Sequence, residues 1–237
     1  MAPPTKRMRT TGRPSKSTPS WPQAVDFGRE ICGDLRMAQQ REWLVTNGIG
    51  GFASGTVAGS LTRRYHGLLI AALKPPLGRT LLVSKLEETV EYRGQIAQLS
   101  TNHWHGGAVA PTGFLFLERF HLEGTTPVWT FAVADVQIDK RIWMEQGENT
   151  VYVQYALRRG AFPIRLHLRA FINHRDYHWT TSANLPEFSS QSLPHGLQVF
   201  PAGGAPFILQ ASQGAVEAVG TWYQNYELPL ERERGLP

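Results

Sequence analysis

Arg63, Arg64, Tyr65 and His66 set two fixed cations, a phenol and an imidazole in four consecutive positions. They lie near the end of a stretch from Glu42 to Ile70 in which Gly48, Gly50, Gly51, Gly55 and Gly59 sit among small residues, so the backbone can take positive φ and approach another surface closely. A glycine-rich turn followed by clustered donors suits a polar ligand or a second domain better than a core. The acids nearest in sequence are Glu42, Glu87, Glu88 and Glu91, so at least one of the two arginines is expected to reach a surface or cleft. A phosphate-loop reading of the glycines fails: no Lys followed by Ser or Thr completes a Walker loop, and Gly48-Ile-Gly50-Gly51 lacks the third glycine, the helix and the acid of a dinucleotide fingerprint. Among the eight histidines, His103 with His105 and His174 with His178 share a face only in a strand and in a helix respectively. Neither pair has a third ligand in register, so no metal site and no cofactor is expected.

The elements that must position this cluster read as strands. Thr80 to Tyr92 is strand-like, and Val128 to Met144 is a long β-branched and aromatic run that turns at Glu145 to Asn149 into Thr150 to Leu157, most simply as a hairpin. Val151, Val153, Tyr155 and Leu157 share one face, and Ile164, Leu166, Leu168 and Ala170 alternate with Arg165, His167, Arg169 and Phe171, so both strands should bury one face. Short strands are expected near Leu197 to Phe200, Phe207 to Ala211 and Ala215 to Tyr223, with a loop over Ser182 to Pro194. Residues from Arg29 to Gln40 fit a short helix or a strand. The order suggests an all-β fold, a large antiparallel two-sheet sandwich over residues 21–237, its turns supplied by 16 prolines and 23 glycines.

Composition bounds the function class. A hydrophobic content of 41% supports a sizeable core in 237 residues. Residues 1–20 carry Lys6, Arg7, Arg9, Arg13 and Lys16 with no acid, and read as a disordered basic tail. The net charge of +5 is 24 cations less 19 acids, and without the tail's five cations the balance is 19 against 19. The folded part is therefore neutral and offers no basic footprint for nucleic acid. No run approaches the about 20 apolar residues that span a bilayer, so no membrane partner is expected. The single cysteine, Cys32, cannot form an internal disulfide, which fits a reducing, cytoplasmic setting.

Several motifs together carry a resemblance. The run EWLVTNGIGGFASGTVAGSLTRRYHGLLIAAL from Glu42, Pro75-Pro76, Leu86-Glu87-Glu88, Ala134 to Lys140, Gly147 to Tyr155, Arg175-Asp176-Tyr177-His178, Trp222 to Glu227 and Glu231 to Leu236 resemble, in this order, the amino-terminal domain of prokaryotic-type glycogen debranching enzymes, the amylo-α-1,6-glucosidases. That resemblance implies a β domain followed by a helical barrel bearing the general acid and base. The chain ends where the barrel would start, so an N-terminal domain without its catalytic barrel is expected. Glucan, as glycogen or limit dextrin, and the barrel are the implied partners. Asn47, Gly50, Gly51, Arg63, Arg64, Tyr65 and His66 would face the barrel or help line its cleft, with Trp104 or Tyr65 stacking on sugar. A stand-alone carbohydrate-binding module using Trp104 or Trp129, or an inactive truncated product, is the alternative.

The carboxylates agree with a missing active site. Glycoside hydrolysis typically needs two, about 5 to 9.5 Å apart. Glu87 and Glu88 point to opposite faces of a strand, and Asp135 and Asp139 would be about 13 Å apart along one. Glu231 and Glu233 would be about 6.6 Å apart if extended, but ERERGL reads as a solvated charged end. No catalytic residue is expected in this chain, and an exposed apolar patch should mark the missing partner.

Overall fold

In a computed structural model of the chain the described residues are 25–181 and 185–236, so the basic tail lies outside them. Strands hold 53% of the structure against 9% helix, in antiparallel sheets that do not close into a barrel. The chain runs β1 (Asp26–Phe27), two short helices α1 (Arg29–Cys32) and α2 (Leu35–Gln39), β2 (Glu42–Thr46), β3 (Phe52–Thr56), β4 (Gly67–Lys74), β5 (Leu77–Tyr92), β6 (Gln95–Gln98), β7 (Thr101–His103) and β8 (Val109–Thr112). It continues through β9 (Leu117–Glu123), β10 (Thr126–Val133), β11 (Val136–Met144), β12 (Val151–Arg159), β13 (Arg165–Asp176), β14 (Phe188–Leu193), β15 (Gly196–Pro201), β16 (Phe207–Gln210) and a helix α3 (Pro229–Glu233).

Two large sheets make the sandwich. One has the order β1-β9-β10-β11-β12, the other β13-β5-β4-β3-β2 with β6 also on β5. Their inner faces supply the core: Val90 and Tyr92 from β5, Leu68 from β4, and Ile138 and Ile142 from β11 are buried together. Trp129 of β10 meets Trp43 of β2 edge-on at 5.2 Å and donates its indole N–H to the Val57 carbonyl, so it is core and not a sugar platform. Cys32 is buried with its thiol donating to the Phe27 carbonyl; burial pushes it up to about 11, which leaves it inert.

Several expectations are corrected here. The run from Val128 to Met144 is two strands, not one, because Ala134 takes φ 52° and turns the chain between β10 and β11. The hairpin across Glu145 to Thr150 is present, with Met144 opposite Val151. Part of the expected loop before Pro194 is β14, which pairs with β15 from Phe188–Pro201 to Leu193–Gly196. The stretch Ala215 to Tyr223 joins no ladder. Its Tyr223 instead packs on Phe171 of β13 at 4.9 Å, so that stretch serves as cover for a sheet face. Beyond the edge of the sandwich, Leu157 and Leu168 remain exposed on β12 and β13, along with Phe162 between them. No helix among the described residues is long and apolar enough to cross a membrane.

Candidate functional site

The turn between β2 and β3 is built around Asn47. Its side-chain oxygen accepts the N–H groups of Ile49 (3.1 Å) and Gly51 (2.9 Å), and its amide donates to the Glu148 carbonyl and to Asn149 Oδ1. Asn149 in turn pairs with both backbone groups of Ala72. Asn47 is 0% exposed with its hydrogen-bonding capacity used, so its role is to staple this turn to the β11–β12 turn. Gly50 has φ 103° and a Cβ there would lie 2.6 Å from the Pro76 carbonyl oxygen; a Cβ on Gly51 would lie 2.5 Å from Asn47 Nδ2. Close packing, not a ligand, accounts for both glycines.

The cluster after β3 divides in two. Arg63 is half-exposed and bonds Glu42 at 2.6 Å. The buried His66 ring accepts the Thr62 N–H at Nδ1 (3.1 Å), which leaves its proton on Nε2, 3.4 Å from the same Glu42. Burial drives this imidazole down to about 4 against the pull of Glu42, so it is neutral at neutral pH. Arg64 turns inward. Its backbone N–H donates to Glu231 Oε1 (3.0 Å), its Nη1 donates to the His178 carbonyl (2.7 Å), and its Nη2 lies 3.3 Å from Glu231 Oε2. That last contact joins opposite charges without hydrogen-bond alignment: Arg64 Nε and Nη2 and Glu231 Oε2 are buried and lack a hydrogen-bond partner.

Glu231 corrects the reading of ERERGL as a solvated end. It is 1% exposed on α3, whose Leu230 N–H also donates to the Thr62 carbonyl. Because Pro229 to Glu233 is helical, the extended spacing with Glu233 does not arise. Arg64 thus has a buried carboxylate partner 167 residues away, which a search for nearby acids could not find.

Beside Arg64 stands Arg175 of β13, donating to the Arg64 carbonyl (2.7 Å) and to the carbonyls of Asp176, Tyr177 and Trp179. Burial and the neighbouring Arg64 charge lower it to about 10, so it stays protonated. The turn it holds brings Tyr177 and His178 against Tyr65, with ring centroids at 5.5 and 5.6 Å, and Tyr65 Oη sits 3.2 Å from His178 Nδ1. Trp104 is elsewhere, stacked on Tyr226 at 4.5 Å with its indole N–H on the Ala110 carbonyl. Arg63, Arg64, Tyr65 and His66 are therefore contiguous with the Arg175–Trp179 turn, and Arg79 joins that turn to the Asn47–Gly51 turn by donating to the Gly50 carbonyl and the Tyr177 hydroxyl.

Two further buried charges on β5, unforeseen in the sequence, are each held by three hydrogen bonds. Lys85 is buried and donates to the carbonyls of Gly59 (3.1 Å) and Thr101 (3.0 Å) and to Asn102 Oδ1 (2.7 Å). Glu88 accepts from Lys140 (2.5 Å), Tyr155 (2.8 Å) and Ser100 (3.0 Å). Burial pulls Lys85 down to about 8. Burial raises Glu88, but the charge and hydrogen bond of Lys140 outweigh it and hold the carboxyl below its usual range. A cavity of about 50 Å³ beside Lys85 and Glu88 has room for a few waters and not for a sugar ring. Among the described residues no group of three His, Cys, Asp or Glu side chains converges as metal ligands would.

The family model described as Glycogen debranching enzyme N terminal matches residues 41–237, a span that holds the Asn47 turn, the Arg63–His66 cluster, the Arg175 turn and α3. Neither the curated proteins nor the solved structures returned a match. With most of its length under that family model, this chain belongs to the glycogen debranching enzyme N-terminal family.

Proposed function

We propose that this chain is the β domain of a glycogen debranching enzyme, acting in the cytoplasmic catabolism of glycogen, where the hydrolysis of α-1,6 branches is carried out by a helical barrel. Its part is to pack against that barrel and to line one side of the glucan cleft. The observation that carries this reading is the Arg64–Glu231 pair, which ties α3 to the glycine-rich stretch and so brings the family's motifs from opposite ends of the chain onto one face. Glu231 is spent on that structural pairing, Glu88 is locked between Lys140, Tyr155 and Ser100, and neither is placed to protonate or attack a glycosidic bond. The Tyr65 phenol and the exposed His178 imidazole beside it suit glucan hydroxyls.

The purified chain should sediment with glycogen and release no glucose from limit dextrin. Glucose release that disappears in Glu231→Gln would overturn the non-catalytic role. Absence of any glycogen or maltooligosaccharide binding would overturn the cleft role.

A further inference from the structure

We infer that Trp179, on the turn held by Arg175, is the stacking platform of a glucan subsite, with the Asp176 carboxylate and the His178 imidazole as its polar edge. The inference rests on the cleft reading above and names the surface that would hold the sugar.

Trp179 is 70% exposed. The other described tryptophans each lie against a second ring: Trp43 and Trp129 on one another, Trp104 on Tyr226, Trp143 on Tyr152 and Trp222 on Phe188. Among the described residues Trp179 pairs with no ring and its indole N–H has no partner. An indole left in water by a mobile loop would be unremarkable, but this turn is pinned through every carbonyl it owns. Arg175 takes those of Asp176, Tyr177 and Trp179, Arg64 takes that of His178, and the Trp179 N–H returns to the Asp176 carbonyl at 3.1 Å. Asp176 Oδ1 accepts the His178 N–H at 2.8 Å, and the Tyr177 N–H donates to the Arg79 carbonyl. Two half-buried guanidiniums are thus used to fix the backbone beneath this indole.

That is what a sugar needs. A pyranose offers C–H faces to an aromatic plane and hydroxyls to acceptors at its edge, and a platform already rigid loses little ordering entropy on binding. Asp176 is exposed with its second carboxylate oxygen unengaged, and His178, also exposed, bonds Tyr65 through Nδ1 and leaves Nε2 open. A purely apolar protein partner would leave these groups desolvated and unpaired, which disfavours it.

The test is titration of the chain with maltoheptaose, followed by tryptophan fluorescence and by calorimetry. Trp179→Ala should weaken binding by about tenfold with an unchanged melting temperature, and Trp179→Phe should restore most of it. Trp104→Ala serves as the comparison and should leave the affinity within about twofold, since that ring is already stacked. If the unsubstituted chain binds and Trp179→Ala binds equally well, the platform is overturned while the cleft reading stands. If the unsubstituted chain does not bind, both fall. Loss of association with a helical barrel domain, at unchanged maltoheptaose affinity, would instead make Trp179 a protein contact and overturn the sugar assignment.

Discussion

Lys85 with Glu88, and Arg64 with Glu231, are two buried assemblies of opposite charge that obey different rules. On β5, all three protons of Lys85 are donated and Glu88 accepts three hydrogen bonds, so these two charges have nothing left to offer a ligand. Around Arg64, by contrast, Arg64 Nε and Nη2, Glu231 Oε2 and His66 Nε2 are buried without hydrogen-bond partners among the described residues. A satisfied network specifies packing; an incompletely satisfied one keeps buried polar groups at a cost, offset here by the charge pairing of Arg64 with Glu231 at 3.3 Å. The family's chemistry-rich motif thus sits on the open assembly, and the closed one holds the platform on which it stands.

The sharpest way to break this contrast is at its closed end. Glu88→Ala strips Lys140, Tyr155 and Ser100 of a shared acceptor in the core and should cost about 3 to 5 kcal/mol in urea unfolding. A loss below about 1 kcal/mol would mean the network is dispensable and the distinction false.

Acid should reveal the open end next. Unfolded, the His66 imidazole takes up a proton near its ordinary 6.5, whereas in the fold burial holds it to about 4. The neutral form is the one the fold favours, so this contribution is intact above pH 6.5 and drains away as pH falls to 4, by up to about 3 kcal/mol. His66→Asn keeps an acceptor for the Thr62 N–H and should flatten that acid limb in pH-dependent melting; an unchanged slope would place the acid sensitivity elsewhere.

The smallest effects separate the two arginines. Arg64→Ala removes the counter-charge of a buried carboxylate and should lower stability by about 2 to 3 kcal/mol, whereas Arg63→Ala breaks a half-exposed pair with Glu42 and should cost less than about 1 kcal/mol. Equal losses, read by chemical denaturation, would erase the division within the Arg63–His66 cluster. The expectation that one of these arginines reaches solvent is met by Arg63; Arg64 is the structural partner.

The strands over Val151 to Leu157 and Leu166 to Ala170 and the neutral charge balance beyond the tail were legible in the sequence, because period and charge are local quantities, whereas the burial of a whole strand face was not, since Leu157 and Leu168 are exposed. The distinctiveness of Arg63 to His66 was legible too. Partners were not. Glu231 looked like part of a solvated end because its companion lies 167 residues upstream, and only the docking of α3 onto Thr62 removes it from water. Glu88 read as a strand charge until the second sheet brought Lys140 and Tyr155 across to it, and Lys85 until the Gly59 and Thr101 carbonyls and Asn102 closed around it. Trp179 could not be told from a core tryptophan by its neighbours in sequence: exposure is decided by what packs over a side chain, and that depends on where every other element comes to rest. Sequence by itself determined the all-β character, several of the strands and which segment is chemically unusual; tertiary structure decided which charges are paired, which are left open and which indole faces water, since burial and pairing are set across the fold and not along the chain.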